Sequence, residues 1–252
     1  MRSSIWSGEF DEFTPWDDEV SMNYHLAQWT SQKESTKAFR LFLDGKLKES
    51  EKVLDIGTGG GAALSYFASE FPEVKFTGLE PNENLVSLAN EISSKKGFPN
   101  LSFCSGNFDN LANQKDKFDG VLSLNTLSYI EDCFQPLKNI ILNLQPTWIG
   151  IHSLFYDGRI SAKVEVFEHA RQRKTYYNIY SLDEIDTFCK SLNYKLTSVQ
   201  PFRMPFPLGK PANKDVMGTY TQTVMSDIDV NHIQFSGPVM MNHHFLIIEQ
   251  MD

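Results

Sequence analysis

The residues best placed to do chemistry lie in the run Val53-Leu54-Asp55-Ile56-Gly57-Thr58-Gly59-Gly60-Gly61. Glycines reach positive φ and let a ligand approach the backbone, and a helix that follows such a loop presents unpaired amides at its N-terminus. Val53 and Leu54 read as a buried strand before the loop, and Ala62, Ala63, Leu64, Phe67 and Ala68 as a helix after it. That setting suits a loop that holds a ligand. Proton transfer would fall to histidine, and six are available: His25, His152, His169, His232, His243 and His244. His152 sits in an apolar strand and His243-His244 abut the last one, so these three are the candidate catalytic bases. Adjacent strand residues point to opposite faces, so at most one of His243 and His244 faces a common pocket. No histidine pair has the i, i+4 spacing of a helical metal site, and no metal is expected.

The elements that must position these groups follow from short apolar runs alternating with amphipathic stretches. Strands are predicted at 52–56, 75–80, 101–105, 120–125, 148–154, 195–202 and 245–250, and helices at about 62–70, 82–95, 133–143 and 182–192. This is an α/β chain with a doubly wound, mostly parallel seven-stranded sheet and helices on both faces. An N-terminal helical segment covers residues 1–50, with Ala38, Phe39, Leu41, Phe42, Leu43 and Leu47 near helical spacing. Residues 51–252 form the main domain, interrupted at about 155–181 and 203–244. The first insertion is rich in tyrosine. The second holds Pro205, Pro207, Pro211 and Pro238, and its segments 218–224 and 232–235 can pair as a hairpin.

The chain carries 23 basic and 32 acidic residues, a net charge of −9, which repels a phosphate backbone over most of the surface, so no nucleic acid partner is expected. The basic run Arg171-Gln172-Arg173-Lys174 is the exception. Cys104, Cys133 and Cys189 have no disulfide or zinc spacing, no signal peptide is evident, and no window has the apolar length of a membrane span. A cytoplasmic protein without a membrane partner is expected. Oligomeric state is not legible.

Asp55-Ile56-Gly57-Thr58-Gly59-Gly60-Gly61 resembles the D-x-G-x-G-x-G motif of class I S-adenosylmethionine-dependent methyltransferases, and the resemblance runs over about residues 50–250. It implies that Asp55, Gly57, Gly59 and Gly61 hold the cofactor and that Glu80, ending the second strand, accepts from its ribose hydroxyls. Gly106-Asn107-Phe108 stands where the family often has Gly-Asp-Ala, so Asn107 and Phe108 are placed at the adenine, with an amide in place of a carboxylate. Asn125, ending the fourth strand, would face the methionine portion. Leu144-Gln145-Pro146-Thr147 matches the family's turn before the fifth strand only in part.

Two other functions fit some of these residues. Gly57, Gly59 and Ala62 also satisfy G-x-G-x-x-A with Glu80 near the position of a dinucleotide's ribose acid, the pattern of an NAD-dependent oxidoreductase. A regulatory protein can keep the cofactor fold without catalysis. The acceptor expected for a methyltransferase is a small molecule, a sugar or other polar metabolite methylated on oxygen or nitrogen. Its walls are drawn from Trp6, Trp16, Tyr24, Trp29, Tyr176, Tyr177, Tyr180 and the segment from Phe235 to His244.

Overall fold

The computed structural model describes residues 19–114, 116–169, 173–212, 217–225 and 230–251. The sheet is built outward from β1 (Lys52–Ile56), whose Val53, Leu54, Asp55 and Ile56 are all buried. A strand covered on both faces needs a continuous apolar run, which explains why β1 does not alternate. β2 (Lys75–Glu80) and β3 (Leu101–Ser105) add in parallel on one side, and β4 (Gly120–Leu124) and β5 (Trp148–Tyr156) on the other. The first insertion contributes β6 (Glu165–Glu168), β7 (Arg173–Tyr176) and the short β8 (Tyr180–Ser181), which pairs with the end of β5. Beyond β5 come β12 (His243–Gln250) and then β9 (Tyr194–Phe202), with β12 antiparallel to both. The order is β3-β2-β1-β4-β5-β12-β9. β10 (Thr219–Met225) and β11 (Val230–Ser236) form the hairpin of the second insertion.

Among the described residues, seven α-helices accompany this sheet: α1 (Glu19–Gln28), α2 (Glu34–Phe42), α3 (Asp44–Lys48), α4 (Ala62–Glu70), α5 (Glu83–Lys96), α6 (Phe134–Leu144) and α7 (Leu182–Lys190). Strand alternation divides the core. Phe39, Leu43, Leu47, Leu64, Phe67, Val53, Leu122, Trp148 and Phe245 pack on one face. Leu54, Ile56, Val121, Leu137, Ile140, Ile149, Ile151, Ile185, Leu246 and Ile248 pack on the other. The side chain of Asn82 caps α5, accepting from the amides of Asn84 and Leu85 at 2.9 and 3.3 Å, and Ser181 caps α7.

Expected and observed strands differ at their ends. β5 continues to Tyr156, and β12 begins at His243 instead of residue 245. The two strands pair with each other through His243 and Leu154, so ladder hydrogen bonds carry regular structure past the apolar runs. The basic run is not a free cationic patch. Arg173 is buried with its guanidinium 2.8 Å from Glu168, Lys174 lies 3.6 Å from Glu165, and Arg171 and Gln172 fall outside the described residues.

The first insertion is pinned to the turn after β4 by Asn178, which is fully buried. Its Oδ1 accepts from the Val164 amide at 3.1 Å, and its Nδ2 donates to the Ile130 and Glu131 carbonyls at 2.9 and 3.2 Å. Asn178→Ala leaves a buried amide and two carbonyls without this partner, so a loss of about 2–3 kcal/mol is expected in urea unfolding. An unchanged midpoint would show that the insertion is held elsewhere.

Candidate functional site

At the C-terminal ends of β1, β2 and β4 the glycine loop adopts the conformation that its residue types permit: Gly57, Gly59 and Gly61 have φ of +80°, +57° and +80°. A Cβ at Gly57 would lie 2.5 Å from Thr126 Oγ1, one at Gly59 2.8 Å from the His25 ring, and one at Gly61 2.6 Å from Phe103. The loop amides are not free, as the sequence alone suggests. Those of Gly57 and Thr58 donate to the Leu79 carbonyl at 2.9 and 3.1 Å, and that of Gly61 to the Thr58 carbonyl at 3.1 Å. The Gly59 amide donates to Glu80 Oε2 at 2.9 Å and the Gly60 amide to His25 Nδ1 at 3.2 Å. The glycines therefore serve close approach, and β2 and α1 shape the loop.

Glu80 is nearly buried, and its second oxygen accepts from the Asn82 amide at 3.1 Å. Burial raises its carboxyl above the usual range, opposed by the amides of Asn82 and Gly59. A carboxylate has about four acceptor sites, so two remain for hydroxyl donors. Asp55, under the loop, is fully buried, and its Oδ1 has no hydrogen-bond partner among the described residues. Burial pushes its carboxyl up to about 7, and the Glu80 charge adds to the rise. Thr58 Oγ1 and Asn125 Oδ1 are likewise buried without a partner among the described residues.

Asn107 follows β3, but its Oδ1 accepts from the Asp109 amide at 2.8 Å in a local turn, which leaves Nδ2 and one lone pair for a base. Phe108 is half-buried against the core, and its carbonyl accepts from Asn139 at 3.0 Å. Asn125 follows β4 with φ +54°, and its amide donates to the His152 carbonyl at 2.7 Å.

The three candidate bases divide between the faces of the sheet. His152 pairs with Phe245 and His243 with Leu154 and Phe202, so His152 and His243 share a face, their ring centroids 5.0 Å apart. His244, between them in β12, turns to the other face. Burial depresses all three rings; His243 falls to about 4 and His152 well below the ordinary histidine range.

Among the aromatic candidates, Tyr176 and Tyr180 are core residues, whereas Tyr177 packs edge-on against Tyr129 with centroids 5.0 Å apart. Tyr24 is exposed and accepts from Lys33. Phe235 stacks on Tyr220 in the hairpin. Trp6 and Trp16 lie outside the described residues. Trp29 does not serve as a wall but braces the loop, its indole donating to the Gly60 carbonyl at 2.7 Å, while Gln32 donates to Ala62 at 2.9 Å. His25 joins them on the glycine loop. Nothing in the spacing of α1 or of the turn after it marks these three, because their partners are backbone atoms about thirty residues away.

The carboxyl of Asp55 has a testable consequence. Its proton is held more tightly in the folded chain than in the unfolded one, where the ordinary value is 3.8, so its contribution to stability falls as pH rises from about 4 to about 7, and the penalty is complete above that. In thermal unfolding Asp55→Asn is expected to raise Tm relative to the parent at pH 8, with the difference shrinking towards pH 4. A pH-independent offset would contradict a buried, proton-holding Asp55.

A family profile described as a methyltransferase domain matches residues 47–217. Ribosomal RNA small subunit methyltransferase G of Thermoanaerobacter sp. (strain X514) is 28% identical over 97 residues, 34% of this chain and 40% of that protein. EEF1A lysine methyltransferase 2 of Homo sapiens is 29% identical over 121 residues, 44% of this chain and 50% of that protein. The chain thus spans half or less of these relatives, and a relative named for ribosomal RNA means that net charge alone does not exclude nucleic acid. Among solved structures, 1,6-didemethyltoxoflavin-N1-methyltransferase of Burkholderia thailandensis, with 1,6-didemethyltoxoflavin and S-adenosylhomocysteine bound, has a TM-score of 0.59 at 16% identity, covering 94% of this chain and 87% of that one. An O-methyltransferase of Brevibacillus brevis, in complex with S-adenosylhomocysteine, has a TM-score of 0.53 at 15% identity, covering 71% and 59%. These two show the fold. The antiparallel β12 inserted between β5 and β9 also departs from the 3-2-1-4-5-6 strand order of a dinucleotide-binding sheet, against the NAD pattern. No helix among the described residues is long and apolar enough to cross a membrane. With more than half its length inside the family match and the Asp55 loop and Glu80 set at the ends of its parallel strands, the chain belongs to the class I S-adenosylmethionine-dependent methyltransferases.

Proposed function

We propose that this protein transfers a methyl group from S-adenosylmethionine to oxygen or nitrogen of a small polar molecule. The observation that carries the cofactor half is the unmet polar capacity around the loop: Asp55 Oδ1, Thr58 Oγ1 and Asn125 Oδ1 are buried without partners among the described residues, beside three glycines of positive φ. Buried polar atoms of this kind are costly unless a ligand completes them. Glu80 would take the ribose hydroxyls, Asn107 and Phe108 the adenine, and Asp55, the loop and Asn125 the amino-acid portion. When bound, the cofactor supplies a methyl group already activated by its positive sulfur.

The chain's own task is then to align an acceptor and exclude water. His25 of α1 and Trp29 just after it lie on the loop, Tyr129 and Tyr177 meet at the β4 turn, and a Cβ at Gly237 would lie 2.1 Å from the Tyr177 ring, so the second insertion packs on the first. An acceptor site bounded by such separate segments would suit a whole small molecule better than one residue of a polymer. The net charge of −9 points the same way.

Calorimetry tests the cofactor half: S-adenosylhomocysteine is expected to bind, and Glu80→Ala to weaken it by about tenfold or more, since charged hydrogen bonds to two hydroxyls and to Gly59 are lost. Incubation with methyl-labelled S-adenosylmethionine tests the acceptor. Transfer to a polar metabolite is expected, and transfer only to RNA or protein would overturn that half. Tight cofactor binding with no transfer to any acceptor would favour a regulatory role.

A further inference from the structure

His152 and His243 carry a cost that packing does not explain. His152 is 2% exposed and His243 7%. Both ring nitrogens of His152 and Nδ1 of His243 are buried without a hydrogen-bond partner among the described residues. Phe39, Phe202 and Phe245 surround His152 at centroid distances of 5.9, 6.3 and 5.0 Å, so nothing aromatic in the cage answers those nitrogens. A phenylalanine would fill the same space without an unmet polar atom. The pair also lies one hydrogen bond from the turn that faces the transferred group, since the Asn125 amide donates to the His152 carbonyl.

We infer that His152 and His243 are an uncharged pair that grips the oxyanion of an acidic hydroxyl, a phenol or an enol, so that the acceptor atom is oxygen. This rests on the methyltransferase function proposed above. Each neutral imidazole keeps one N–H to donate. Lys33, at the entrance to α2, is the cationic group whose charge acts on both rings, while His243 acts on His152 and His244 acts on His243 from the neighbouring position. Burial is the main reason that both rings stay uncharged, and the cationic field adds to it; that field also disfavours a protonated amine and favours an anion. An aliphatic alcohol ionises too weakly to enter as its anion, which leaves acidic hydroxyls.

The balance closes without an added base. The hydroxyl proton is lost to water as the acceptor binds, an oxygen lone pair forms the bond to the methyl carbon, and the carbon–sulfur electron pair leaves with sulfur. An anion and a sulfonium become a neutral ether and a neutral thioether. Loss of both charges is most favourable where water is excluded and the effective dielectric is low.

The probe is 4-nitrophenol, whose phenolate absorbs visible light, set against 4-nitroanisole on the full chain saturated with S-adenosylhomocysteine. Nitrophenol is expected to bind as the phenolate, at least about tenfold tighter than the methyl ether, with its ionisation shifted to lower pH. His152→Phe and Lys33→Met are expected to erase that preference and leave S-adenosylhomocysteine binding unchanged. His152→Phe is also expected to raise Tm, because it removes two unmet nitrogens, whereas a merely structural histidine would lower it. Equal binding of the two probes, binding of neither, or a bound nitrophenol that remains protonated would overturn the proposal, and these wild-type results decide even if a variant fails to fold. Absence of S-adenosylhomocysteine binding would instead overturn the methyltransferase function itself.

Discussion

Leu79 and Glu80, the last two residues of β2, hold the glycine loop that ends β1. The Leu79 carbonyl takes the amides of Gly57 and Thr58, and the Glu80 carboxylate takes that of Gly59. Because β1 and β2 are parallel neighbours in fixed register, with Ile56 opposite Leu79, the loop can close over β2 only if its residues accept positive φ. Much else follows from that constraint. The carboxylate of Glu80 is brought to the loop rather than to solvent, α4 starts where the loop ends, and α1 and the turn after it find two backbone atoms of Gly60 to grip.

Charge around this loop is arranged by burial. Asp55 and Glu80 are both pushed towards their neutral forms, and His25, His152 and His243 are all pushed away from their charged forms. The result is a buried site whose ionisable groups are held towards their uncharged forms. It is also the kind of site in which an incoming charged ligand finds strong, unscreened interactions.

The cofactor half was legible because its signals are local. Apolar runs mark β1 and β2, glycines mark the turn, and Glu80 stands at a strand end whose register is set by apolar burial. The acceptor half was only partly legible. Alternation in β12 separates His243 from His244, but which of them joins His152 depends on the antiparallel pairing with β5, a contact about ninety residues away along the chain. Trp29 looked like a pocket wall and is a backbone donor, because its partner is the carbonyl of Gly60 and a carbonyl leaves no trace in composition.

By itself, the sequence determined the seven strands of the main sheet, the layered α/β plan and the glycine loop with Glu80 at the end of the next strand, because each depends on periodicity or on residues close together along the chain. Tertiary structure decided that the loop amides are already paired, that α1 covers the loop, that the basic run is consumed by ion pairs of its own hairpin, and that two histidines meet in an aromatic cage. Those outcomes depend on which distant backbone and side-chain atoms are brought together when both faces of the sheet are buried, and hydrophobic pattern fixes the faces without fixing the partners.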